Sequence, residues 1–308
     1  MLRQIRYLLA VAEHRNFTRA ADAMRVSQPA LSQQIRQLES ELGGPVFDRS
    51  GRAVTLTDFG RIYLEHARRA LRDLEAGERA LHDVRDLSAG RLRLAYTPTF
   101  TEYLIGPLIA QFHETYPRIQ VELTEASLED IEAQLAADEI DLAIGFADVR
   151  SDEIETTPIF SERLTLVLGD SHPLAARTKP LAAAELDTLP LALLTRGFVS
   201  RYFADSYFHA HGLKPPIVLQ GNSISALLKI VRDGTVATLL PDAMRREHRE
   251  LGYVDLDPPF PVRTVALLRR KNGYRTAASL ALAATLQAML MDGVLTDLTA
   301  DRPIPASA

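Results

Sequence analysis

From Ser88-Ala89-Gly90 onward the hydrophobic pattern of this 308-residue chain changes period. Before that point apolar residues recur every three to four positions; after it, short leucine- and valine-rich runs alternate with helical stretches. The runs are RLRLAYT (91–97), IQVELTE (119–125) and IDLAIGF (140–146), with helices expected over 101–115 and 128–137. A second series has LTLVLG (164–169), PLALLT (190–195), IVLQG (217–221) and TVATLLP (235–241), with helices over 199–212 and 224–233. VRTVALLRR (262–270) and an alanine-rich helix over 276–291 follow. Strands alternating with helices predict an α/β body, and two runs of similar rhythm predict two parallel-sheet lobes. Ligands in such folds sit at the carboxyl ends of strands, and here also between the lobes. The length exceeds what one core usually supports, so an all-α front part reads as a separate domain.

That front part reads as short helices and a hairpin. Ile5, Leu8, Leu9 and Ala12 recur at helical spacing. Thr18 heads a second stretch with Ala20, Ala21 and Met24 on its buried face, and Arg25-Val26 makes a tight turn. Ser27 is a good N-cap for a third helix, whose first turn tolerates Pro29 because the missing N–H costs nothing there. Leu31, Ile35, Leu38 and Leu42 form one buried stripe, opposite Gln28, Ser32, Gln33 and Arg36. Gly43-Gly44-Pro45 ends the helix, and two short strands flank a loop that carries Arg49 and Arg52. Segment 17–38 thus has helix-turn-helix grammar, with small polar residues leading the helix that enters a major groove. Glutamine there can read adenine and arginine guanine, and the loop at 48–52 reads as a wing on backbone or minor groove. An ordinary three-helix cluster is the plain alternative.

Thr57-Asp58 caps a long helix to about residue 86. Tyr63, Ala67, Ala70, Leu74, Gly77, Leu81 and Val84 step by four and three, a heptad seam on an otherwise charged helix. Such a helix is hardly stable alone, and its cheapest partner is its own copy, so Tyr63, Ala67, Leu74 and Leu81 are the expected dimerisation residues.

Charge agrees with this division. Residues 1–61 hold nine arginines against six acids, while the whole chain is −5. A basic front on an acidic body suits one domain that meets phosphate. Hydrophobic residues at 46% and charged residues at 24% exclude a disordered or fibrous chain. No apolar run reaches the roughly 18 residues of a membrane span, and no cleavage site follows the interrupted apolar start, so neither anchor nor signal peptide is expected. The absence of cysteine excludes disulfides, thiolate metal sites and a cysteine nucleophile, and suits a reducing cytoplasm.

Enzyme readings find little. Gly169-Asp170-Ser171-His172 lacks the strand-to-helix elbow of a serine hydrolase. His209 and His211 point about 200° apart on a helix, so they do not share a metal. No phosphate-cradling motif is present. No catalytic residue, cofactor or metal is therefore expected. The strand–helix turns are better candidates for a ligand. Thr97, Thr99, Phe100 and Thr101 follow the first strand and offer hydroxyls and free N–H groups to a small anion. Ser127, Gly145, Phe198 and Ser200 hold similar places. Plain N-capping is the commonest use of such hydroxyls, and the two roles coexist.

At FTRAADAMRVSQPALSQQIRQLESELGGPVFDRSGRAVTLTDFG the sequence resembles the winged helix-turn-helix of LysR-type transcriptional regulators, and the resemblance runs to about residue 290. It implies a winged helix-turn-helix domain (1–58), a linker and dimerisation helix (59–89), and a bilobal effector domain like a type 2 periplasmic binding protein (90–296). Lobe I would hold about 90–161 and 267–296, lobe II about 162–266, with a flexible tail at 297–308. By similarity Gln28, Pro29, Ser32 and Gln33 face bases and backbone, and Arg52 is the wing arginine. The family often has arginine where this chain has Gln33, which implies a different base preference. The implied partners are double-stranded operator DNA, a small effector and a second or fourth copy of the chain, with RNA polymerase as a further contact. YTPTFTEYLIGPLIAQFHETYP, NSISALLKIVRDGTVATLLP and VALLRRKNGYRTAA are similar to the subgroup regulating cyanate detoxification, so cyanate at residues 97–101 is the expected effector. The competing effector is a small aromatic or aliphatic carboxylate packed on Phe100 and Phe198. The competing class is a solute-binding protein whose N-terminal helices serve assembly only.

Overall fold

A computed structural model of the chain describes residues 1–51, 54–83 and 90–292. The chain divides into two compact units, residues 1–82 and 83–308. The first contains α1 (Leu2–His14), α2 (Phe17–Ala23), α3 (Gln28–Leu42), the two-residue strands β1 (Phe47–Asp48) and β2 (Thr55–Leu56), and α4 (Asp58–Asp83). Leu8, Val11, Ala20, Leu31, Ile35 and Leu38 are fully buried together. Each large aliphatic side chain so buried contributes about 1.5–3 kcal/mol. α2 begins one residue before Thr18 because the Asn16 side chain captures the Thr18 and Arg19 N–H groups at 2.8 and 3.0 Å. Ser27 caps α3 through the Ala30 N–H at 3.4 Å, and Gly43, at φ +80°, ends it in the left-handed conformation. β1 and β2 pair antiparallel, Phe47 opposite Leu56. α4 is seated by Thr57, whose hydroxyl accepts from the Gly60 N–H at 2.9 Å and donates to the Pro45 carbonyl at 2.7 Å. A Cβ built on Gly60 would stand 2.0 Å from the Val46 carbonyl oxygen, so this close approach requires glycine.

The second unit starts with β3 (Gly90–Tyr96), a 3₁₀ turn (Pro98–Glu102), α5 (Ile105–Thr115), β4 (Ile119–Glu125), α6 (Leu128–Ala136) and β5 (Leu142–Phe146). It continues through β6 (Ile154–Glu162), β7 (Leu164–Gly169), β8 (Leu181–Ala182), β9 (Leu191–Leu194), α7 (Val199–His211), β10 (Ile217–Gly221) and α8 (Ile224–Asp233). β11 (Thr238–Pro241), β12 (Leu251–Val254), β13 (Leu256–Asp257), β14 (Arg263–Arg270) and α9 (Ala277–Met291) complete it. Lobe I is a five-stranded sheet ordered β4-β3-β5-β14-β6, and lobe II is built on β11-β7-β12 with β10-β9 beside it. A bridge between Leu191 and Ala237 joins the lobe II strands.

The expectation of two parallel sheets needs correction. β3 runs parallel to β4 and β5, but β14 is antiparallel to both β5 and β6. In lobe II, β7 is antiparallel to β11 and β12, while β9 and β10 are parallel. The reason is the route: the chain leaves lobe I at the end of β6 and returns into the same sheet from the opposite direction. β6 has no counterpart among the expected strands, because IETTPIFSE is polar and carries Pro158. It is an edge strand, and Pro158 sits beside a register irregularity in its pairing with β14, two settings in which a sheet tolerates proline. The expected helix over 101–115 is a 3₁₀ turn followed by α5. Its start is displaced because Phe100, Tyr103 and Leu104 are buried in the core.

Only Arg163 separates β6 from β7, and its backbone is tied to Asp242 by bonds of 3.0 and 3.4 Å. Residues 258–262 make the return, and 263–266 already belong to the lobe I sheet. Phe100, Phe112, Phe146 and Phe160 are the largest fully buried side chains among the described residues. No described helix is long and apolar enough to cross a membrane.

Candidate functional site

On α3, Gln28, Pro29, Gln33 and Arg36 are exposed; Pro29, Gln33 and Arg36 project opposite Leu31, Ile35 and Leu38, while Gln28, the first residue of the helix, lies one heptad before Ile35 and on the same side as it. Ser32 is different. It is buried, and its hydroxyl accepts a 3.0 Å hydrogen bond from Arg36 Nη1. Arg36, not Ser32, therefore presents the polar surface at that turn. Arg49 is engaged within the chain: its guanidinium pairs with Glu39 at 2.7 Å and lies 5.0 Å from the Phe17 ring centre. The other oxygen of Glu39 accepts the Val46 and Phe47 N–H groups at 3.0 and 3.3 Å. Glu39 thus fastens the hairpin to α3, a role sequence reasoning missed because it needs the two elements side by side. Arg52 lies outside the described residues.

The seam of α4 separates into two parts. Tyr63 and Ala67 pack within their own unit, and burial raises the Tyr63 pKa. Leu74 is 55% exposed, and Phe59 and Ile62 on the first turns of the same helix are 42% and 63% exposed. The side chain of Leu81, and Val84, lie outside the described residues.

Between the lobes lies a cleft of about 850 Å³. Lobe I supplies Ser127, Leu128, Glu129 and Glu132 from α6 and its cap, with Phe146 and residues 148–151 after β5. Lobe II supplies Arg196, Gly197 and the start of α7 with Phe198, Val199, Tyr202 and Phe203. Four aromatic residues therefore line the space together with two exposed arginines, Arg150 from one lobe and Arg196 from the other, and with the carboxylates of Glu129, Glu132 and Asp148 on the lobe I side. Glu132 is buried and accepts the Arg150 and Ser151 N–H groups at 3.0 and 2.7 Å, which orders the Arg150 turn. The arginines escaped the sequence reading because they sit in loops with no periodic pattern.

Beneath the cleft the Arg263 guanidinium lies 4.5 Å from the Phe146 ring centre and 5.6 Å from that of Phe203. It pairs with Glu162 at 2.5 Å, and both side chains are 1% exposed. Tyr103 donates its hydroxyl to Glu162. Burial pushes the Glu162 carboxyl above the usual range, against the pull of Arg263 and the Tyr103 hydrogen bond.

The turns singled out from sequence fall in different places. Ser127 lines the cleft and also caps α6, accepting from the Asp130 N–H at 3.1 Å. Phe198 lines it as well. Ser200 is buried behind it, accepting from Arg263 Nη1 at 3.2 Å. Gly145 is a packing glycine: a Cβ there would stand 2.7 Å from the Leu268 side chain. Thr97, Thr99 and Phe100 are buried, and Phe100 packs 5.4 Å from Phe146 and 5.8 Å from Tyr103. Thr101 donates to Glu125 at 2.8 Å, which sets a carboxylate beside the turn. The turn expected to hold cyanate is thus closed on its inner side and acidic on its outer one. Phe100 is fully buried and is not among the residues that line the cleft. Ser171 is an exposed loop residue, and His172 is buried, with Nδ1 accepting from the Leu174 N–H at 3.1 Å and burial lowering its pKa. Among the described residues no group of three or more His, Asp or Glu is placed to hold a metal.

Residues 2–61 match the bacterial regulatory helix-turn-helix protein, lysR family, and residues 85–291 match the LysR substrate binding domain. The chain is 34% identical over 272 residues to the hydrogen peroxide-inducible genes activator of Pectobacterium carotovorum subsp. carotovorum, covering 87% of this chain and 90% of the relative. It is 32% identical over 312 residues to the SDS degradation transcriptional activation protein of a Pseudomonas strain, covering 100% of this chain and 99% of that one. Among solved structures it is similar to a full-length OxyR variant from Pseudomonas aeruginosa, with a TM-score of 0.71, 25% identity, and coverage of 98% and 99%. It shares its fold with CbnR complexed with target DNA, at a TM-score of 0.62, 24% identity, and coverage of 94% and 99%.

Proposed function

The chain belongs to the LysR family of DNA-binding transcription regulators, and from that premise we propose that it activates transcription in response to an organic anion with an apolar body. Gln28, Pro29, Gln33 and Arg36 read operator DNA, and the paired arms of a dimer place two heads on half-sites. A role on DNA puts the chain in the cytoplasm, and RNA polymerase is its downstream contact. The effector occupies the cleft between the lobes. The observation that carries this reading is the lining itself, with Phe146, Phe198, Tyr202 and Phe203 around Arg150 and Arg196. Aromatic rings reward an apolar body, and guanidinium groups bind carboxylates by paired charge-assisted bonds. A small carboxylate such as benzoate fits both. Cyanate would use neither the rings nor the paired geometry, and residues 97–101 offer it a closed turn beside Glu125.

Peroxide, which the names of several relatives suggest, is the second reading. Oxidation of a thiol to a sulfenic acid or disulfide needs a cysteine, and this chain has none. A peroxide response here would rest on plain binding or on oxidation of one of the five methionines to its sulfoxide. Calorimetric titration with benzoate, cyanate and peroxide, followed by footprinting on the DNA upstream of the coding sequence, separates the three. Benzoate should bind and alter the footprint. Arg196→Ala should weaken it about 10-fold or more, as expected for one charge-assisted pair. A protein that ignores benzoate and aliphatic carboxylates but responds to cyanate or peroxide would overturn the assignment.

A further inference from the structure

Glu162 and Arg263 stand where the chain passes between the lobes. Glu162 is the last residue of β6, one residue before β7 opens lobe II, and Arg263 is the first residue of the returning β14. They face each other across the antiparallel ladder as a fully desolvated ion pair. Such a pair seldom stabilises a fold more than apolar side chains of equal volume would, so its presence asks for another reason. The pair is not self-contained. Arg263 rests on Phe146 of lobe I with one face, approaches Phe203 of lobe II, and donates Nη1 to Ser200 in the first turn of α7. One side chain thus touches both walls of the cleft. Its Nε is buried without an acceptor, so the contact with Ser200 is the hydrogen bond it makes into lobe II among the described residues.

We propose that Arg263 is a positioning residue that ties the first turn of α7 to lobe I, so that a ligand lodged against Phe146 and Phe203 changes the angle between the lobes through the Arg263–Ser200 contact. The proposal rests on the reading that the cleft holds the effector. Glu162 and Tyr103 keep the guanidinium fixed on the lobe I side, which makes lobe II the part that moves. The bond to Ser200, at 3.2 Å, is at the long end of its useful range. A small opening therefore breaks it and a small closure tightens it, so the contact is sensitive to the angle between the lobes.

The cysteine-free chain allows a clean test. In the full-length protein, Glu114→Cys on α5 and His209→Cys on α7, both exposed positions, take spin labels, and pulsed electron resonance reads the distance between the lobes. Without any ligand, Ser200→Ala should shift or broaden that distance distribution. Ser200→Thr, which keeps the hydroxyl, should preserve it. Benzoate at saturation should move the otherwise unaltered labelled protein and leave the Ser200→Ala form where it is. If benzoate moves neither while the alanine and threonine variants differ, the effector assignment fails and the positioning role stands. A Ser200→Ala distribution superimposable on that of the parent overturns the positioning role.

Discussion

Gly60 sets two rules about helices against each other, and alanine at that position decides between them. In an exposed helix interior, Gly→Ala gains about 1 kcal/mol. At Gly60 the added methyl would stand 2.0 Å from the Val46 carbonyl oxygen and 2.9 Å from both the carbonyl carbon and Cγ1 of Val46. Attractive contact begins near 3.5 Å, so α4 must withdraw by about 1.5 Å, and a backbone carbonyl cannot swing aside as a side chain can. Withdrawal stretches the bonds that Thr57 makes to the Val46 carbonyl, 3.0 Å from its N–H and 3.2 Å from its hydroxyl. Overpacking costs about 1–3 kcal/mol and a lost hydrogen bond about 1 kcal/mol. After the helix gain is credited, Gly60→Ala should destabilise the N-terminal unit by roughly 2 kcal/mol. For a unit of this size that is a fall of about 8–16 °C in its transition, read by scanning calorimetry on the full chain. Gly77→Ala in the same helix is the control. Within its own chain nothing lies within 4 Å of an added Cβ there, so at a concentration that keeps the chain monomeric it should gain stability instead. A Gly60→Ala protein that melts at or above the parent temperature would refute the packing of α4 against the hairpin.

Gln33→Ala should cost roughly 1–3 kcal/mol of operator affinity and relax preference at one base position, read by gel shift on a set of single-base operator variants. Unchanged preference would remove Gln33 from the reading face. The parent is expected to sediment as a dimer or tetramer and the Leu74→Glu, Leu81→Glu double variant as a monomer, because a carboxylate in an apolar seam is costly without a partner. A variant that stays dimeric would rule out the linker helix as the interface. Millimolar hydrogen peroxide should leave no disulfide in the intact mass, since the five methionines hold all the sulfur of the chain.

The parts of this molecule that are periodic are readable in advance. The stripe of Leu31, Ile35 and Leu38 announces α3, Ser27 marks its start, and the alternation past Gly90 announces an α/β body. Direction is not readable, because an alternating strand has the same pattern whether it runs parallel or antiparallel, and β14 is the strand this affects most. β6 escapes because an edge strand need not be apolar. Residues 97–101 look like an open site because hydroxyls and free N–H groups before a helix can hold an anion, yet Phe100 and Tyr103 are buried and pull the turn into the core. Arg150 and Arg263 acquire their places from neighbours far away in sequence, Glu132 for the first and Glu162 and Ser200 for the second, and Arg196 sits in a loop without periodic pattern.

Glu39 carries a consequence for how such a head evolves. One carboxylate holds two backbone N–H groups of the hairpin and the guanidinium of Arg49. The reading helix and the hairpin are therefore a single casting, with no joint between them to flex toward a different target. If the exposed residues of that casting read DNA as proposed, a change of target sequence would come from replacing Gln28, Gln33 or Arg36 one at a time. Tolerance for differently spaced targets has to come from outside it. Such a head is free to drift in vocabulary while its grammar stays the same.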